Sequence, residues 1–236
     1  MHNSVNDVFV IPAANCETAP SMVQTTSSVA DRLRDDILRG VFPPGERLIE
    51  LQLTERYGAG RAAIRAALVE LDAEGLVRRE TNRGATVRRI SVAEAVEITE
   101  ARSALEGLIA RRAAERATTS ERDELRDLID EMRAVVERDD RLAYSKLNRT
   151  LHATLCRIAR HQVADDLVAN LRNRAAHHQF RLTVMPGRAA ESLAQHAAIV
   201  AAVVSGDGEA AERAMRTHLA SVIDVLRHWE SLEVHA

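Results

Sequence analysis

Residues 53–76 read LTERYGAGRAAIRAALVELDAEGL, and their reading decides the fold. Leu53 and Tyr57 belong to a short helix running from about Leu48, which Gly58 stops because glycine takes the left-handed backbone of a helix end at no steric cost. After Gly58-Ala59-Gly60 a second helix runs to about Glu74. Its Ile64, Leu68 and Leu71 recur at i, i+4 and i+7, and Gly75 closes it. Arg61 and Arg65 stand one turn apart at its start. A helix presented this way enters a DNA major groove by its N-terminal residues, where arginines reach guanine edges or phosphates.

The flanks complete a winged helix-turn-helix over 28–90. Upstream, Ser28-Val29-Ala30-Asp31 has the capping-box form, and a helix follows through Ile37 and Leu38 until Gly40 and Pro43-Pro44-Gly45. Downstream, Leu76–Glu80 and Ala85–Arg89 read as two strands, with Thr81–Gly84 as a hairpin loop. Arg83 and Gly84 at its tip are expected at DNA, with Arg78, Arg79, Arg88 and Arg89 as further phosphate candidates. Residues 1–27 mix Asn, Ser, Thr and Pro without a period and read as a disordered or loosely held arm.

Beyond Ile90 the pattern is helical throughout. Ser91-Val92-Ala93-Glu94 reads as another capping box and as a domain boundary. Helices are expected through Ile98 to Ile109, through Leu125 to Val136, near 141–159, near 162–182, and over about 188–204 and 208–230. Six antiparallel helices with short connections make a bundle over 91–236. The fold class is mainly α: a winged helix-turn-helix followed by an all-α six-helix bundle.

Composition agrees. Apolar residues make up 46% of the 236, yet aromatics only 3%, so Ala, Leu, Val and Ile build the core, a mixture suited to close-packed helices. The net charge of −3 alone argues against nucleic acid, but its distribution does not: residues 28–90 hold 12 Arg against 10 Asp and Glu. Cys16 and Cys156 are too few and too scattered for a disulfide framework or thiolate site. With neither a secretory leader nor a run of ~20 apolar residues, the chain is expected to be cytoplasmic, without membrane contact.

In the bundle, Asn148 and His152 stand at i and i+4 on one helix face. His196 lies among Leu193, Ile199, Val200 and Val203, and His218 among Met215, Leu219 and Val222. Taken singly, each histidine reads as a satisfied core or surface residue. Together they form an N/O donor set from three helices that would suit a divalent ion such as Zn or Ni.

Two resemblances sharpen these readings. Pro44–Leu48, Leu53–Gly58, Arg61, Ile64-Arg65, Leu68, Leu71–Leu76 and Asn82–Ala85 resemble the N-terminal domain of GntR-family regulators. Arg102-x-x-Leu105-Glu106, Asn148-x-x-x-His152, Glu191-Ser192-Leu193-x-x-His196 and Met215-x-x-His218-Leu219 resemble the effector domain of the family's FadR-type (FCD) branch. That likeness implies a metabolite-responsive regulator, expected to be a repressor and a homodimer on two-fold operator DNA, and not an enzyme. It implies Asn148, His152, His196 and His218 as metal ligands, with a small carboxylate effector on the open positions. Arg102 would clamp that carboxylate, and Ser192 is a donor from the His196 face; Arg102 also reads as an i+4 partner of Glu106.

Departures carry their own expectations. Gly60, Ala62, Ala63 and Ala66 replace the family's usual polar or proline residues and imply either a different operator preference or weaker binding. Asn148 replaces the commoner acid; its neutral oxygen lowers metal affinity but leaves the site one charge more favourable to an anion. Two alternatives stay open: a metal-free regulator binding its ligand directly, and a helical metalloenzyme. Against the last, no His-Glu-x-x-His spacing occurs.

Overall fold

The computed structural model describes residues 28–80, 84–175, 178, 181–182 and 185–233. The expected arm over 1–27 and the candidate DNA contact Arg83 lie outside the described residues.

Helix α1 (Val29–Leu38) starts at the Ser28 box, in which Ser28 Oγ accepts from Asp31 N–H and the Asp31 carboxylate accepts from Ser28 N–H. Helices α2 (Glu50–Tyr57) and α3 (Arg61–Ala73) flank Gly58, whose φ of 61° makes the turn. Leu33, Ile37, Leu53, Ile64, Leu68 and Leu71 interlock in one core with Leu76, Val77 and Val87. Two polar clamps fix the helix angles. Arg34 donates to both Glu74 oxygens at 2.8 and 2.6 Å, and Tyr57 Oη donates to Asp36 Oδ2 at 2.8 Å.

The wing departs from the expectation of a two-stranded hairpin. It is an antiparallel sheet of β1 (Arg47–Leu48), β2 (Val77–Glu80) and β3 (Gly84–Val87) in the order β1-β3-β2. Leu48, expected at the start of the second helix, instead pairs with Ala85 and is fully buried. Its partner is distant in sequence, so helical periodicity carried no trace of the pairing. Gly84 has φ +88°, and a Cβ there would lie 2.4 Å from the Leu48 carbonyl oxygen. The glycine is therefore required by the sheet backbone. Gly84→Ala is expected to cost at least about 1–3 kcal/mol, read as a lower denaturation midpoint; an unchanged midpoint would refute the close approach.

Among the described residues the long helices that follow are α4 (Val92–Arg116), α5 (Thr119–Glu137), α6 (Arg141–Ala159), α7 (Gln162–Arg174), α8 (Arg188–Ser205) and α9 (Gly208–Glu233). Helix α4 packs along α9 and against α6 and α7, while α5 lies on α6 and α8. Their shared core holds Ile109, Leu125, Met132, Leu151, Leu155, Ile199, Val203 and Leu219. No helix among the described residues is long and apolar enough to cross a membrane.

Two local expectations are corrected at the junction of wing and bundle. Ser91 caps α4 by accepting from Glu94 N–H at 3.1 Å, but Glu94 does not complete a reciprocal box. Its carboxylate instead accepts from Arg88 at 2.9 Å and Arg174 at 3.0 Å. Arg88 is thus drawn to the junction rather than to the front of the wing. The helix expected over 162–182 is interrupted: α7 ends at Arg174, Ala175 is a turn, and residues 178 and 181–182 are again helical. There the chain turns to tertiary partners: Arg174 to Glu94, and His178 Nε2 to the Ile90 carbonyl at 2.8 Å.

Candidate functional site

Two rows of residues at i, i+4 and i+8 face each other inside the bundle. Helix α6 contributes Tyr144, Asn148 and His152; helix α8 contributes Arg188, Ser192 and His196. This spacing brings each row round to one helix face. Helix α9 adds His218, α4 adds Arg102 and Glu106, and α7 adds Arg172. Arg102, Asn148, His152, Arg172, Arg188 and His218 are among the residues lining a cavity of about 60 Å³.

The three imidazoles converge. One nitrogen from each of His152, His196 and His218 lies within 4.8 Å of the others, and the rings pack with centroids 4.4–5.6 Å apart. All three are buried, His196 completely. Each Nδ1 faces an oxygen. His218 Nδ1 is 2.8 Å from Gln195 Oε1, and His196 Nδ1 is 3.2 Å from Tyr144 Oη. His152 Nδ1 is 3.0 Å from Glu106 Oε2, close but not aligned for a hydrogen bond. With Nδ1 of His196 and His218 engaged, Nε2 is the nitrogen these two rings have left for an ion, the arrangement by which outer partners orient metal-binding histidines, while His152 keeps a buried Nδ1 without a hydrogen bond. His196 Nε2 and Asn148 Oδ1 are buried with no hydrogen-bond partner. Buried donors and acceptors are rarely left so, and a cation accounts for both.

Electrostatics keep the rings neutral. Burial and the Arg172 charge pull His152 down to about 4 despite Glu106. Burial, then the neighbouring imidazoles, hold His196 and His218 well below the usual histidine value. Burial opposes ionisation of Glu106, yet Arg172 and Arg102 hold it well below the usual carboxylate range. Arg172 donates to both its oxygens at 2.5 and 3.2 Å, and Arg102 Nε donates to Oε1 at 2.8 Å. Arg102 therefore both lines the cavity and makes the intrahelical pair that its spacing suggested.

The other end of the chain presents a helix to solvent. On α3, Arg61, Ala62, Ala63, Arg65 and Ala66 are exposed, opposite the buried Ile64, Ala67 and Leu68. Arg65 Nε donates to Glu50 Oε2 at 2.8 Å, which holds its guanidinium against α2. Gly60 supplies no side-chain cap, so the first N–H groups of α3 remain available to an anion.

Comparison with known proteins places this architecture. Residues 25–87 match the gntR family of bacterial regulatory proteins, and residues 97–221 match the FCD domain. The chain belongs to the GntR family, in its FCD branch. Like this GntR protein, the HTH-type transcriptional repressor RspR of Escherichia coli carries the pattern: it is 32% identical over 198 residues, covering 83% of this chain and 86% of RspR. The repressor GlaR of Escherichia coli is 29% identical over 203 residues, with 83% and 92% covered. Among solved structures, E. coli McbR/YncC shares the fold at 21% identity, with a TM-score of 0.76 over 86% of this chain and 96% of that one. A GntR transcriptional regulator from Rhodococcus gives 0.67 at 27% identity over 85% and 96%.

The GntR protein is thus a DNA-binding transcriptional regulator and not an enzyme, which removes the metalloenzyme alternative. Sequence reasoning missed Tyr144, Arg172, Arg188 and Gln195 around the FCD cavity. For Tyr144 and Arg188 a signal existed, since each begins a row with a four-residue step to a residue already singled out. For Arg172 none did: its partner Glu106 lies 66 residues away.

Proposed function

We propose that this regulator is a repressor whose bundle senses a small carboxylate at a divalent metal ion. The observation carrying this reading is the convergence of three neutral buried imidazoles beside the unpartnered Asn148 Oδ1, on a cavity walled by arginines. Asn148, His152, His196 and His218 would hold the ion, with Zn or Ni suited to the nitrogen-rich set. When bound, such an ion offers open positions to a carboxylate oxygen. Arg102 and Ser192 bind the effector beside it. The neutral amide of Asn148 weakens the site for metal; a metal-free pocket binding the ligand directly is the second reading.

Helix α7 supplies a route outward. Arg172 holds Glu106 at the cavity, and two residues on Arg174 holds Glu94 at the start of α4. A ligand that draws on Arg172 displaces the turn of α7 that anchors the wing. We take 28–90 as the DNA-binding unit, 91–236 as the sensing and dimerising unit, and 1–27 as an arm. In a cytoplasmic homodimer, movement at two such junctions changes the spacing of the DNA readers and their fit to a two-fold operator.

The test is the metal content of untagged, chelator-free protein beside a His152→Ala, His196→Ala variant. Near-stoichiometric metal lost in the variant supports the site. Metal absent from both, with failed reconstitution, selects the metal-free reading. At the DNA end, Arg61, Arg65, Arg83 and Gly84 are the proposed operator positions. Arg61→Ala is expected to weaken binding to in-vitro-selected operator fragments by about 1–3 kcal/mol, measured by fluorescence anisotropy. Unchanged affinity would remove Arg61 from the interface.

A further inference from the structure

Arg188 belongs to none of the assignments above. Its side chain is only 5% exposed, and it lines the same cavity as Asn148 and His218. One end of the guanidinium is engaged: Nη1 donates to Ser221 Oγ at 2.7 Å and lies 2.9 Å from Glu191 Oε2. The other end, Nη2, is buried without a hydrogen-bond partner. A planar guanidinium with one free edge is built to take a carboxylate.

Arg188 does not duplicate Arg102. Arg102 stands on α4, its Nε committed to Glu106 beside His152. Arg188 stands on α8, two helical turns before His196, with Ser192 between them. The cavity thus draws these guanidiniums from two different helices, and along α8 Arg188 stands two turns from His196. Its wall carries Arg102, Arg149, Arg172 and Arg188, and the acids paired with them are Glu106 and Glu191. Four guanidiniums against two carboxylates leave a surplus that a dianion neutralises. At about 60 Å³ the void suits a compact molecule, far below the roughly 300–1,000 Å³ of sites for drug-sized ligands.

We infer that the effector is a short-chain dicarboxylate, one acid group lying at the Arg102 and histidine end and the other on the free edge of Arg188. This rests on the carboxylate-sensing reading above and sharpens it. A monocarboxylate satisfies one end and leaves Arg188 Nη2 unpartnered. Inorganic phosphate places its charge at one point and spans neither.

The test is calorimetric titration of the full-length protein, as purified and after chelation, with succinate, L-malate, butyrate, 3-hydroxybutyrate and inorganic phosphate. The dicarboxylates are expected to bind at least about tenfold more tightly than the monocarboxylates of the same chain length. In Arg188→Gln that ratio falls close to one. Glu191 is half-exposed, so Glu191→Gln keeps the fold while releasing Arg188 from its competitor, and dicarboxylate affinity rises. Equal binding of the two classes by the parent, tighter binding of phosphate, or a preference that survives in Arg188→Gln overturns the inference. So does a Glu191→Gln affinity that stays level or drops, an outcome readable even if Arg188→Gln fails to fold. If no acid of either class binds, with or without metal, the carboxylate-sensing reading falls and takes this inference with it.

Discussion

Glu106→Ala is expected to lower the stability of the whole bundle by about 3–5 kcal/mol, the usual cost of removing one partner from a buried ion pair. Glu106 is 2% exposed and carries Arg102, Arg172 and the near contact of His152 on two oxygens. Alanine leaves two largely buried guanidiniums without the carboxylate they share. At about 2–4 °C per kcal/mol for a chain of this size, the melting temperature falls by about 6–20 °C. The same substitution takes the carboxylate from behind His152, which lowers metal affinity by about 10–100-fold where metal is bound. Thermal unfolding followed by circular dichroism, with a metal titration on the folded fraction, reads both. A melting temperature within 2 °C of the parent would mean the arginines find other partners and Glu106 is not the keystone of the cavity.

Acid is expected to destabilise chelator-treated protein in a window set by the histidines. In the fold His152 titrates at about 4, and His196 and His218 well below the usual value, all three chiefly through burial. In the unfolded chain each returns to about 6.5. Between those limits the unfolded state binds protons that the folded state refuses, so stability is complete above about pH 6.5 and is lost as pH falls towards 4. His152 alone contributes on the order of 3 kcal/mol across that span. Glu106 is depressed in the fold, so its own loss of stability begins only where the unfolded carboxyl titrates, at about pH 4.5 and below, under most of the histidine window. Urea midpoints measured from pH 7.5 to 4.5 should be level at first and then drop; His218→Gln should shrink the drop. A level profile down to pH 5 would show that the rings are not buried as neutral groups.

Much of this protein was legible in local pattern. The four-residue recurrence of Ile64 and Leu68 sets the buried face of α3, and the same recurrence brings Asn148 and His152 to one face of α6. Both follow from the 3.6-residue turn, a property of the chain wherever it forms a helix. The Ser28 cap and the turn at Gly58 were legible for a like reason, since their partners lie within a few residues.

What the sequence by itself determined is therefore the order of its helices, their inward faces and the chemistry each face carries: an exposed helix with arginines at its start, and a histidine-bearing bundle. What only the tertiary structure decided is who meets whom. Leu48 joined a strand because Ala85 was there to pair with it. Glu94 left its cap for Arg174, 80 residues on. Glu106 became the anion shared by Arg102 and Arg172, and Arg188 was left with one buried nitrogen unpartnered. The physical reason is range. Backbone turns and caps are settled within one helical turn, whereas the partner of a buried charge is whichever group the packing of distant helices leaves within hydrogen-bond reach.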